Sequence, residues 1–161
     1  MMMKFSDPSL FRSKKSVVLD TCFVIHELLN QKEARLLDFC EDNVVILTSF
    51  NLEELLFTSK KLGHNKKRVK DFLGRAKLNF VKLPVSPGNA VEEKEFVNNF
   101  SSDLLFKVHD PSDAVLVVGA ILSGSDILTR DKHHLFTSVL NSELDSYGLS
   151  VFNDISSYLD S

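Results

Sequence analysis

The segments SVVLDT (16–21) and VVILTS (44–49) are continuous apolar, β-branched runs, not alternating ones. A strand with one face in water alternates apolar and polar residues, whereas a continuous run needs cover on both faces. DILTR (126–130) and GLSVF (148–152) read as further strands, and LNFVKLPV (78–85) as a short strand or an extended connector interrupted by Pro84, Pro87 and Gly88. Helical patterns fill the intervals, at 23–29, at 32–41 with Leu36, Leu37 and Phe39 as an apolar face, and at 51–62. A basic helix over 65–76 follows the Gly63 break. Helices are also expected over 89–107, from Asp110-Pro111 through Leu122 and over 131–140, with a short turn in the tail NDISSYLD. Strands separated by helices pair in parallel through right-handed crossovers. The expected fold is an α/β, three-layer α/β/α sandwich around four or five mostly parallel strands.

At 161 residues the chain reads as one domain, 1–161, with its core over about 16–153 and an N-terminal extension at 1–15. The 43% hydrophobic and 25% charged fractions are those of a globular protein. No apolar run approaches the ~18 residues of a membrane helix, and MMMKFSDPSLFRSKK lacks a signal-peptide core. A cytoplasmic protein without membrane attachment is expected. Two cysteines, Cys22 and Cys40, fit that compartment as buried apolar residues.

Acids stand where strand-like runs meet the next helix. Asp20 closes the first run, Asp131 follows DILTR, Glu54 lies in the helix after VVILTS, and Asp113 opens the apolar helix AVLVVGAIL. In an open α/β sheet the carboxyl ends of the strands share one edge, where ligands bind. Like charges gathered there raise each other's pKa or recruit a cation, and hard oxygen ligands suit Mg²⁺ or Mn²⁺. The plainer reading of Asp20 and Asp131 is a helix N-cap. Glu53 points about 100° away from Glu54 on a helix, and spacing does not choose between them. Asp110, Pro111 and Asp113 are spaced as a helix start, so Asp110 is as readily a cap as a ligand. Asp126 precedes its strand and belongs at the opposite edge. His133 and His134 follow Asp131 with no zinc-type spacing around them.

The net charge is −3, yet residues 60–77 carry Lys60, Lys61, Lys66, Lys67, Arg68, Lys70, Arg75 and Lys77 against the single acid Asp71. A basic block beside an acidic metal site suits a polyanionic substrate. A solvated helix face accounts for the block equally simply.

With these residues in view, the chain resembles the PIN domain family, which includes the VapC-like toxins. The matching elements are LDTCFVI, T-S-x-x-x-E-E-L, S-D-A-V-L-V-V-G-A and I-L-T-R-D-K, in the family's order over residues 17–136. The resemblance implies a parallel sheet, an acidic cluster binding Mg²⁺ or Mn²⁺, and cleavage of RNA. It carries the four acids to Asp20, Glu54 (in preference to Glu53), Asp113 and Asp131, and a supporting hydroxyl to Thr129. Two departures stand out: Val117, Val118 and Gly119 replace the usual alanine-type residues after Asp113, and the 60–108 region is longer than in the smallest toxins.

The expected function is therefore a Mg²⁺- or Mn²⁺-dependent endoribonuclease. Asp20, Glu54, Asp113 and Asp131 would hold the metal, and Lys66, Lys67, Arg68, Lys70, Thr129 and Arg130 would contact RNA. The toxin role would add an antitoxin protein as partner. A homodimer is expected from the 13 phenylalanines, more than one domain of this size readily buries. The rivals are a PIN-like module that binds RNA or protein without cutting, and an RNA-processing nuclease outside toxin–antitoxin systems. An aspartyl-phosphate phosphatase would need a second aspartate where Cys22 stands.

Overall fold

The computed structural model describes residues 3–61, 63–130, 135 and 137–161, apart from the side chains of His64 and Ser138. Its strands are β1 (Phe5–Ser6), β2 (Ser16–Leu19), β3 (Val44–Thr48), β4 (Asn79–Val81), β5 (Asp126–Leu128) and β6 (Val151–Phe152). They form one sheet in the order β1-β4-β3-β2-β5-β6, with every described pairing parallel. The described helices are α1 (Thr21–Leu29), α2 (Glu33–Asp42), α3 (Ser49–Ser59), α4 (Lys66–Arg75), α5 (Ala90–Phe100), α6 (Leu104–Lys107), α7 (Pro111–Ser123), α8 (Ser138–Asp145) and α9 (Ile155–Leu159).

The continuous apolar runs behave as two-faced strands. Val18, Ile46 and Ile127 point into a core shared with α5, α6, α7 and α8. Val17, Leu19, Val45, Leu47 and Leu128 point into a second core under α1, α2, α4 and α9. Helix α3 joins the two, with Phe50 in the first and Leu52 and Leu55 in the second. The three-layer sandwich is thus present, but its described sheet has six strands, not four or five. The extra edge strand is Phe5–Ser6, a two-residue strand that pairs with β4 and is too short to leave a periodic signal. Its segment also packs on α7, where the Arg12 Nε donates to the Leu122 carbonyl at 2.8 Å.

One helical expectation is corrected. The stretch 89–107 breaks between Phe100 and Leu104, where Ser101 is extended. Of the helix expected over 131–140, the described part is the start of α8 at Ser138: Thr137 is extended and its hydroxyl accepts from the Leu140 amide at 3.1 Å, an N-cap. Residues 131–134 and 136, hence Asp131, His133 and His134, lie outside the described residues.

Helix α7 is the central element of the first core, buried from Ala114 through Ala120. Its Gly119 accounts for the unusual VVG sequence. A Cβ there would stand 3.1 Å from the Thr48 Cγ2 and 3.2 Å from the Leu83 Cδ1, so the missing side chain lets α7 lie close against the end of β3. Val117 and Val118 are fully buried beside it. Replacing Gly119 by Val should lower stability by about 1–3 kcal/mol through overpacking, read as an earlier denaturant midpoint at unchanged slope. A Gly119→Val protein as stable as the parent would contradict this packing.

Candidate active site

Asp20 immediately follows β2 and occupies the N-cap position of α1, yet its side chain makes no capping hydrogen bond. It is 6% exposed and faces across the strand ends. The Thr129 hydroxyl, fully buried just past β5, donates to the Asp20 Oδ2 at 2.7 Å. The Cys22 thiol donates to the same oxygen at 3.2 Å. Burial, then the Asp20 charge, pushes the Cys22 thiol up to about 12, so the sulfur stays protonated as a donor. Cys40 is buried as expected, whereas Cys22 is an exposed residue whose sulfur rests against Asp20 and Thr129.

Glu54 enters from the neighbouring strand. The Thr48 hydroxyl caps α3, accepting from the Asn51 amide at 3.1 Å. One turn on, Glu54 Oε1 accepts from the Asn51 Nδ2 at 3.1 Å and from the Thr21 hydroxyl at 3.2 Å. Asn51 is itself 1% exposed and accepts the Thr48 hydroxyl at 2.8 Å. This framework ties the first turn of α1 to the first two turns of α3. Glu53 turns outward, its Oε1 accepting from the Ser86 hydroxyl at 3.4 Å.

Burial raises the Glu54 carboxyl from 4.5 to about 7, with the negative charges of Asp20, Glu93 and Asp110 adding to the rise and the Thr21 hydrogen bond opposing it. A group in this condition is disfavoured as an anion unless a cation arrives.

At the start of α7 the two aspartates divide. Asp110 is the N-cap, accepting from the amides of Ser112 at 2.9 Å and Asp113 at 3.3 Å. Asp113 lies in the first turn, partly buried, above the apolar length of the helix. Glu93, on α5, is only 4% exposed and accepts the Ser112 hydroxyl at 2.6 Å. Sequence reasoning misses both Glu93 and Asn51. Their signals are a carboxylate one turn before Val97 on an apolar face, and an amide one turn before Glu54.

The basic residues sit differently. Lys66, Lys67, Arg68 and Lys70 lie on α4, which packs on α1, α2 and α3. Arg68 donates to the Leu28 carbonyl at 3.2 Å, at the far end of α1 from Asp20. Arg130 follows Thr129 but is held by the Asn153 carbonyl at 3.1 Å and His26 at 3.3 Å. Asp126 starts β5, away from the strand ends that carry Asp20, and accepts the Ser150 amide at 2.9 Å.

Among the described residues no three His, Cys, Asp or Glu side chains group tightly enough to hold a metal, and Asp131 stands outside that set. The donor chemistry nevertheless fits a hard divalent cation: Asp20 and Glu54 offer carboxylate oxygens, one buried and one driven toward neutrality by its neighbours.

The PIN domain family model matches residues 17–139. Among solved structures, VapBC2 from Rickettsia felis, bound to a DNA fragment from its promoter, aligns with a TM-score of 0.55 at 14% identity, covering 85% of this chain and 97% of that one. That likeness is one of fold. No curated protein matches in sequence. Among the described residues no helix is long and apolar enough to cross a membrane.

The raised Glu54 carboxyl has a stability consequence. Between 4.5 and about 7 the folded state holds a proton that the unfolded chain has lost. Its contribution is therefore present below that window and is lost as pH rises through it. In metal-free buffer, Glu54→Gln should raise the melting temperature at pH 8 and flatten its fall between pH 5 and pH 8, within about a pH unit of the stated window. A Glu54→Gln protein that melts with the parent's pH profile would show that Glu54 is not the group responsible.

Proposed function

This chain belongs to the PIN domain family, and on that footing we propose that it is a Mg²⁺- or Mn²⁺-dependent endoribonuclease working at the carboxyl edge of the sheet. The observation that carries the reading is Glu54: a carboxyl brought to about 7 by burial and by the charge of Asp20. Strongly perturbed acids in a cleft mark functional sites more often than structural ones.

In this reading Asp20, Glu54, Asp113 and Asp131 would hold the cation, partly through water. When bound, such a cation supplies charge neutralisation at a scissile phosphate and a more acidic water. The chain's own groups do the rest. Thr129 and Cys22 fix the rotamer of Asp20 by donating to one of its oxygens. Asn51 and Thr21 hold one oxygen of Glu54, and Glu54 or Asp113 would orient the attacking water. In-line attack on phosphorus would break the P–O3′ bond, with O3′ taking up a proton from solvent, leaving 5′-phosphate and 3′-hydroxyl ends, as the family resemblance implies. Lys66, Lys67, Arg68 and Lys70 on α4 track flanking phosphates, with Arg130 nearer the acids, so binding weakens with salt.

The partners of this reading are RNA, an antitoxin protein and a second copy of the chain. The VapBC2 structural neighbour supports the antitoxin, and side chains such as Phe106, 80% exposed, and Val91, 74% exposed, support a protein interface. A small open reading frame directly upstream would favour the toxin role over general RNA processing.

Single-stranded RNA should be cut with Mg²⁺ or Mn²⁺ and spared in EDTA. Asp20→Asn should reduce cleavage on the order of 100-fold or more, since even outer partners of metal ligands cost about 10–100-fold when removed. Its apo melting temperature should hold or rise, because a like charge has gone. Asp20→Asn protein that cuts at the parental rate would refute the assignment, and a parent that binds RNA but leaves it intact with either metal would favour a PIN-like module that binds without cutting.

A further inference from the structure

Beside the acids lies a cleft of about 500 Å³ whose lining includes Glu53, Glu54, Phe57, Lys60, Pro87 and Ser112. That size falls in the range of small-molecule sites. The wall is formed by α3 and by the turn through Pro87 and Gly88. Gly88 has φ of +105°, a conformation that side chains resist, so the turn is built to present Pro87 where it stands.

Phe57 is 59% exposed although it lies on a helix whose other large apolar residues are mostly buried. Its position one turn beyond Glu54 puts the two on the same side of α3. The Lys61 ammonium lies 4.7 Å from the centre of the Phe57 ring. At an exposed site such a cation–π contact is weak enough to be exchanged for a phosphate. An aromatic platform with two adjacent ammonium groups is the combination that binds single-stranded nucleic acid without base-edge readout. The cleft also runs directly to Glu54 and Ser112, so its occupant is continuous with whatever the acids act on.

Resting on the nuclease reading above, we infer that this cleft is a nucleobase subsite, in which Phe57 stacks a base of the RNA next to the scissile phosphate while Lys60 and Lys61 hold that nucleotide's backbone. Phe57 is then a substrate-positioning residue that favours unpaired RNA, because a base in a duplex cannot leave its stack to reach the ring without a cost. Leu56 and Pro87 add apolar surface to the lining of the cleft. The site tolerates any base, since every base has a π-face.

The chain contains no tryptophan, so Phe57→Trp creates a single fluorescent reporter at the platform. In EDTA, a labelled single-stranded RNA of mixed sequence should quench that tryptophan and bind within about twofold of the parent. Phe57→Ala and Phe57→Leu should each weaken RNA binding about 5- to 150-fold, while an abasic oligonucleotide of the same length binds parent and variants alike. Melting temperatures should stay together, because the ring is largely in solvent. RNA binding by Phe57→Ala equal to the parent's, or equal losses toward RNA and the abasic chain, would overturn the inference. The first of those results with cleavage intact would leave the face to a protein partner and the nuclease reading standing. A parent that neither binds nor cuts RNA would bring down both.

Discussion

The strand ends of this protein hold a buried carboxylate, Asp20, against a second carboxyl, Glu54, that its surroundings have pushed to about 7. Burial first, and the Asp20 charge second, make Glu54 costly as an anion, and the strand ends are arranged around that cost. An unpaired charge away from water is expensive, and here the cost is offset by neutral donors. Thr129 and the Cys22 thiol donate to Asp20, and Thr21 and Asn51 to Glu54. Each donor sits at the end of a strand or in the first two turns of the helix that follows, so the sheet order β3-β2-β5 brings them to one place. Packing supports the same edge from below, where Gly119 lets α7 approach the β3 end and its Thr48 cap.

The donors also define how the acids can act. Both bonds described for Glu54 fall on Oε1, and both bonds described for Asp20 fall on Oδ2. The two bonds to Glu54 orient it through Oε1. Asp110 satisfies amides at the head of α7 and so sets the position of Asp113 in the next turn. Glu93, tied to the Ser112 hydroxyl, adds negative charge without facing bulk solvent. The result is a site whose electrostatics favour a cation before any substrate phosphate arrives.

Much of this is legible in the residues. The unbroken apolar runs mark strands covered on both faces, and the acid closing the first run, Asp20, stands at the carboxyl edge of the sheet. Asp110-Pro111 marks the start of α7 and its cap. The edge strand Phe5–Ser6 is hidden because two residues carry no period. The true start of α8 is hidden because the cap Thr137 lies beyond a more conspicuous acid, Asp131. Glu93 is lost among the acids of VEEKEF, since only packing distinguishes the one buried glutamate from its exposed neighbours. Asn51 escapes notice because its role is to orient Glu54, and a single helix turn gives no sign of what an amide side chain reaches. Phenylalanine content reads as an interface signal in the sequence. Phe11, Phe23, Phe39, Phe50 and Phe72 fill the two cores, while Phe57 and Phe106 stand on the surface.

The claim on which the account rests is that a divalent cation takes the place of a proton on Glu54. Calorimetric titration with Mn²⁺ near pH 6.5, in two buffers of different ionisation enthalpy, measures the protons released on binding. The account predicts release of roughly half a proton or more near pH 6.5, fading by pH 8.5 as a group titrating at about 7 empties on its own. The release should vanish in Glu54→Gln. Saturable binding with no buffer-dependent heat, or no Mn²⁺ binding at all, would contradict it.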